Sequence, residues 1–184
     1  MSQCIAESPL ERVQRIARRM RYIILFGIAF ELSGVTALWL VEPWLLEFLL
    51  PALGLTVDKV TVTTGVRIAG YLVSLIPAAV ALSMFLEALA LFRAYAKGEV
   101  FSSVAVRHLR RISTRIIALA VLQPFTRTAL VLVLTFRNPP GKHLLSLGFN
   151  GNDYMLAAFG GLLLAVSWVM VEAARAVDEN SRFV

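Results

Sequence analysis

Cysteine is all but missing from this 184-residue chain: Cys4 stands alone, so no intramolecular disulfide can form. Histidine is nearly as scarce, with only His108 and His143. No C-x-x-C, H-E-x-x-H, G-x-S-x-G or Walker pattern occurs, so neither a metal centre nor the common hydrolase and nucleotide chemistries find support. The reading is of a non-enzymatic protein without cofactor or metal. Acids are few, 12 against 18 Lys and Arg. Low-complexity linkers and solenoid-type repeats are absent too, which leaves a single membrane domain over 1–184 as the economical organisation.

What fills the chain is apolar. Hydrophobic residues make up 58% of the sequence and the mean hydropathy is +0.74, above the roughly 45–50% apolar usage of soluble domains. Four segments are long enough to span a bilayer: 22–41, 68–92, 112–136 and 154–171. Basic residues alternate between them. Arg12, Arg15, Arg18, Arg19 and Arg21 precede the first span, and Arg93, Lys97, Arg107, Arg110, Arg111 and Arg115 surround the second-to-third connection. Arg175 and Arg182 follow the fourth, while the other side holds only Lys59, Arg67, Arg137 and Lys142. The positive-inside rule then places both termini in the cytoplasm. A net charge of +6 beside spans meets anionic lipid headgroups first, at about 1 kcal/mol per charge, so direct nucleic-acid binding is not expected.

Local signals refine this plan. Ser8-Pro9-Leu10-Glu11 is a capping-box start for an amphipathic lead-in helix over 9–21. Beyond Val41, the stretch Glu42 to Pro51 stays apolar and predicts helix protruding past the outer surface or lying along it, with Trp39 and Trp44 as interfacial belt residues. Val57 to Val66 is rich in Val and Thr with partial alternation, the pattern of a short strand. Pairing of Val60–Thr64 with Leu144–Leu147 would build a small extracytoplasmic β-ribbon over the bundle. Gly98 reads as a left-handed helix end, Ser102 or Ser103 as the next cap, and Asn150 to Asp153 as a turn and cap for the fourth helix. The expected fold class is therefore all-α integral membrane, a four-transmembrane-helix bundle with that ribbon.

Charges inside spans carry what functional signal there is. Counted along their own apolar runs, Glu31 and Arg127 each lie about 13.5 Å from a span end, near the middle of a core about 30 Å thick. Unpaired, each costs at least about 2.5–3.5 kcal/mol, so an intramembrane Glu31–Arg127 ion pair is expected. Such a pair fixes which helix faces which, or, with Gln123, contributes to a transport pathway. Pro77 and Pro124 free backbone carbonyls within spans two and three. Glu87 is expected to meet Arg115 near the inner interface, and Gly27, Gly34, Ala157, Gly160 and Gly161 offer small-residue packing faces. The leading functional reading is a regulatory or interaction role in which Arg107, Arg110, Arg111 and Arg115 face a cytoplasmic partner or lipid. The alternative is a small transporter or channel component using Glu31, Gln123 and Arg127.

The connection between spans two and three adds a resemblance. Leu91, Phe92, Tyr95, Gly98 and Phe101, followed by Leu109-Arg110-Arg111-Ile112, fit L-F-x-x-Y-x-x-G-x-x-F and L-R-R-I; Glu172-Ala173 to Glu179-Asn180 fits an E-A…E-N ending. In these places the chain resembles the bacterial membrane proteins grouped as domain of unknown function 2975. The resemblance implies a four-span protein of the bacterial cytoplasmic (inner) membrane, often encoded beside a small helix-turn-helix regulator. It implies no established activity and no functional residues.

Overall fold

The computed structural model describes residues 9–57, 60–100, 102–138 and 148–181. Four long helices dominate: α1 (Pro9–Leu40), α4 (Thr64–Ala96), α5 (Ser103–Thr135) and α6 (Gly151–Ser181). All four are long and apolar enough to cross a membrane, so the chain is a multi-pass membrane protein built from helices. Between α1 and α4 lie two single turns, α2 (Glu42–Trp44) and α3 (Leu50–Ala52), joined by a π-helical turn Leu45–Leu49. Substantial packing between long helices is confined to chain neighbours: α1 on α4, α4 on α5, α5 on α6. Side-chain hydroxyls on these helices bond back one turn, as Ser113 does to Leu109 and Thr126 to Leu122, because an apolar surrounding offers them no other acceptor.

The helix ends follow their local chemistry. α1 runs without interruption from Pro9, so the amphipathic lead-in and the first span are one rod. It stops at Val41, whose backbone is extended. Pro43, two residues on, has no N–H to give the carbonyl of Trp39, and its ring would crowd that carbonyl. α3 closes on Gly54 in the left-handed region (φ +69°), with Leu55 N–H donating to Leu50 O and Gly54 N–H to Pro51 O, a Schellman end. α4 closes the same way on Gly98 (φ +87°), where Glu99 N–H reaches Ala94 O. Ser102 is the cap of α5, its hydroxyl accepting from Ala105 N–H.

The β-ribbon is corrected by the structure. No strand occurs among the described residues, Thr64 already opens α4, and the Leu144–Leu147 half lies outside those residues. Thr63, placed in the strand by its composition, caps α4 by accepting from Val66 N–H. The alternation itself has a use: Val60 and Val62 pack against an apolar cluster while Thr61 is exposed.

That cluster is the larger core of the molecule. Trp39, Leu45, Leu50, Leu55 and Val66 surround Leu130, Val131 and Leu134 of α5; Leu45 and Leu134 are wholly buried. The segment after α1 is helical as expected, restarting at Glu42 after the break at Val41, and it folds as a cap over the end of α5 with Leu45 and Leu50 turned inward. Trp39 belongs to the core at 3% exposure rather than to an interfacial belt, whereas Trp44 is 45% exposed. A second cluster, Leu91, Ala105, Ile112 and Ile116, ties α4 to α5 toward the arginine-rich end.

Candidate functional site

Contacts between neighbouring helices fix which residues lie level. Gly27 meets Phe85, and Trp39 lies over Gly70 and donates from Nε1 to Ser74 Oγ at 3.1 Å, which registers α1 on α4. Glu87 with His108, and Val66 with Leu130, register α4 on α5. Arg127 with Asp153, and Gly160 with Ile117, register α5 on α6. Interpolating, Arg21 and Arg107 share one level, and Arg127, Arg67 and Asp153 share another within about a turn. Arg107 and Arg127 are about 20 residues apart on α5, hence about 30 Å, the thickness of a hydrocarbon core.

This registration removes the expected Glu31–Arg127 pair. Glu31 is level with about Ala79 and so with about Ile117, which leaves it about ten residues, or about 15 Å, short of Arg127 along the axis. Depth counted along the apolar run of α5 alone misleads, because the last two turns, with Leu130, Val131, Leu134 and Thr135 buried, are apolar for the cap and not for lipid. Glu31 keeps the mid-depth position expected of it, without a hydrogen bond or ion pair among the described residues. Gln123, one turn before Arg127 and half-buried, makes no hydrogen bond to either among the described residues.

Arg127 is satisfied at the end of the apolar band. Its Nη2 donates to Asp153 Oδ2 and, at 3.3 Å, to Gly148 O. Asp153 Oδ2 also accepts from Asn150 N–H at 2.8 Å, so one carboxylate oxygen closes the first turn of α6 and holds α5. Its other oxygen, Oδ1, is buried with no partner among the described residues. A cleft of about 350 Å³ lies beside the pair, between Ala52–Gly54, Arg127, Val131 and residues 148–151. Sequence reasoning placed Asp153 only in a cap; nothing in a linear chain showed that α6 starts level with Arg127.

At the arginine-rich end the tie is also other than expected. Glu87 Oε2 lies 2.6 Å from His108 Nδ1 and Oε1 accepts from Arg111 Nη1 at 3.3 Å; Arg115, proposed as its partner, sits one turn too far along α5. Arg107, Arg110, Arg111 and Arg115 are all exposed. Among the described residues no three of His, Cys, Asp and Glu come together as a metal site.

The family described as "Protein of unknown function (DUF2975)" matches residues 54–182. The chain belongs to this family. The match takes in α4, α5 and α6 with both their ties, the Glu87–His108–Arg111 cluster and the Arg127–Asp153 pair, and begins after α1 and nearly all of the cap. No curated protein and no solved structure matches the chain.

Proposed function

We propose that this DUF2975 protein is a non-enzymatic component of the bacterial cytoplasmic membrane that acts by interaction, with both termini and the α4–α5 connection on the cytoplasmic side. The observation that carries the reading is the α5 arginine face. Arg107, Arg110 and Arg115 are exposed and without a partner among the described residues, while Glu87 is taken by His108 and Arg111. Arg107 and Arg110 sit at the boundary of the apolar band. Arg115 lies about 12 Å inside it, and its side chain, run back along the helix, covers only part of that distance. Two uncommitted guanidinium groups at that level, with a third directed toward it, suit anionic headgroups or an acidic surface of a membrane-associated regulator.

A transport role draws less from the geometry, because Glu31, Gln123 and Arg127 are spread along the axis and Arg127 is already paired. The test compares thermal unfolding in bilayer discs with and without anionic lipid. The wild-type protein should gain stability from anionic lipid, and R107Q/R110Q/R115Q should lose most of that gain while unfolding normally in zwitterionic discs. An equal gain in both proteins would overturn the reading.

A further inference from the structure

We propose that the groove between the end of α1 and the start of α4 is a binding site for one phospholipid of the leaflet opposite the arginine-rich face, with Arg67 holding its phosphate. The groove has a volume of about 400 Å³, within the roughly 300–1,000 Å³ of small-molecule sites. Thr36, Trp39 and Leu40 form one wall and Arg67, Ile68 and Tyr71 the other. Leu40 and Ile68 are 73% and 57% exposed, so the groove opens where two membrane-crossing helices meet lipid.

Its polar groups divide in a way that suits an amphiphile. Along the floor they are spent within the protein. Thr36 donates to Leu32 O at 2.8 Å, which leaves Tyr71 to donate to Thr36 across 3.4 Å. Trp39 Nε1 donates to Ser74, and Ser74 in turn to Gly70 O. What remains along the floor is aromatic and aliphatic surface, fit for an acyl chain. Arg67 is different. It is level with Arg127 and Asp153 at the boundary of the apolar band, the depth of headgroups, and only Nη2 is committed, to Glu42 at 2.8 Å. Glu42 is 64% exposed while the Arg67 side chain is 26% exposed, so the carboxylate holds the guanidinium from the water side and leaves its remaining N–H groups available to a phosphate. One cation with spare donors above an internally satisfied apolar slot matches a phosphodiester with its chain below. The wall from α1 lies outside the family match, so the site depends on this chain's own first helix. It stands at the opposite end from the arginine face and does not rest on the role proposed for that face.

The experiment is native mass spectrometry of the full chain extracted from bilayers of phosphatidylethanolamine and phosphatidylglycerol, counting phospholipids retained per protein. Wild type should keep one. Arg67→Gln should lower the retained fraction about tenfold, the effect of losing one charge-assisted contact, and Ile68→Trp should lower it with Arg67 intact by filling the slot. Glu42→Gln should retain at least as much as wild type, because it frees Arg67. Unchanged retention in Arg67→Gln would overturn the site. So would equal loss in Glu42→Gln and Arg67→Gln, which makes the salt bridge merely structural, or loss that tracks dissociation of a dimer, which makes the occupant a second copy. If Arg67→Gln does not fold, Ile68→Trp and Glu42→Gln decide alone: unchanged retention in the first, or loss in the second, overturns the site.

Discussion

Gly70 shows how much a single residue decides here. A methyl group at Gly70 would overlap the six-membered ring of Trp39, so hydrogen there lets the indole lie on the α4 backbone, reach Ser74 and anchor the larger core. Gly160 does the same for α6, where an added Cβ would stand 2.8 Å from Ile117. Gly34 and Gly161 meet nothing within 4 Å. The small-residue pattern in the sequence pointed to Gly27 and Gly160, but it could not rank Gly34 below Gly70, because the difference lies in which partner side chain arrives. Gly70→Ala should destabilise the protein by about 1–3 kcal/mol through overpacking, with Trp39 fluorescence shifted. Gly34→Ala should be neutral or stabilising by up to about 1 kcal/mol. Thermal unfolding in micelles checks both.

The elements were legible where their ends carry local chemistry. Four apolar rods, the left-handed Gly98 and a serine cap on α5 all follow from short-range rules, and of two adjacent serines the structure selects Ser102. Ser102→Ala should cost about 0.5–2 kcal/mol, whereas Ser103→Ala should stay within about 0.5 kcal/mol; chemical denaturation of the two variants separates them. What failed was inference from composition where tertiary packing competes. Val60 and Val62 alternate because one side of their segment lies on the cap, and a Val- and Thr-rich pattern alone does not separate that from a strand. The run after Val41 is helical, as its composition suggests, but the break at Val41 ahead of Pro43 redirects it, and composition does not show that Leu45 and Leu50 turn inward. Asp153, the partner of Arg127, was visible only as a cap residue, since pairing across helices depends on register and not on spacing.

For the molecule as a whole, register between helices replaces the apolar run as the measure of depth. α1, α4 and α6 each end or begin within about two turns of the level of Arg127, and α5 alone continues to Thr135 inside the cap. The apolar band then runs from the level of Arg21 and Arg107 to that of Arg67, Arg127 and Asp153, about 30 Å. Both its edges carry arginines with fixed partners, Arg111 on Glu87 and Arg127 on Asp153. Mid-depth holds Glu31, so the one carboxylate a bilayer penalises most lies about 15 Å from the cation that seemed its natural partner.

Spin-label depth on α5 tests this account most directly. Labels at Val121 and Leu132, 58% and 43% exposed, are placed on the full chain with Cys4→Ser and compared for collision with oxygen and with a water-soluble nickel chelate in bilayers. Val121 should be oxygen-accessible and closed to nickel, and Leu132, about 7 Å beyond the level of Arg127, should be open to nickel. A Leu132 label as deep in the hydrocarbon as Val121 would contradict the band and return Arg127 to the middle of the membrane.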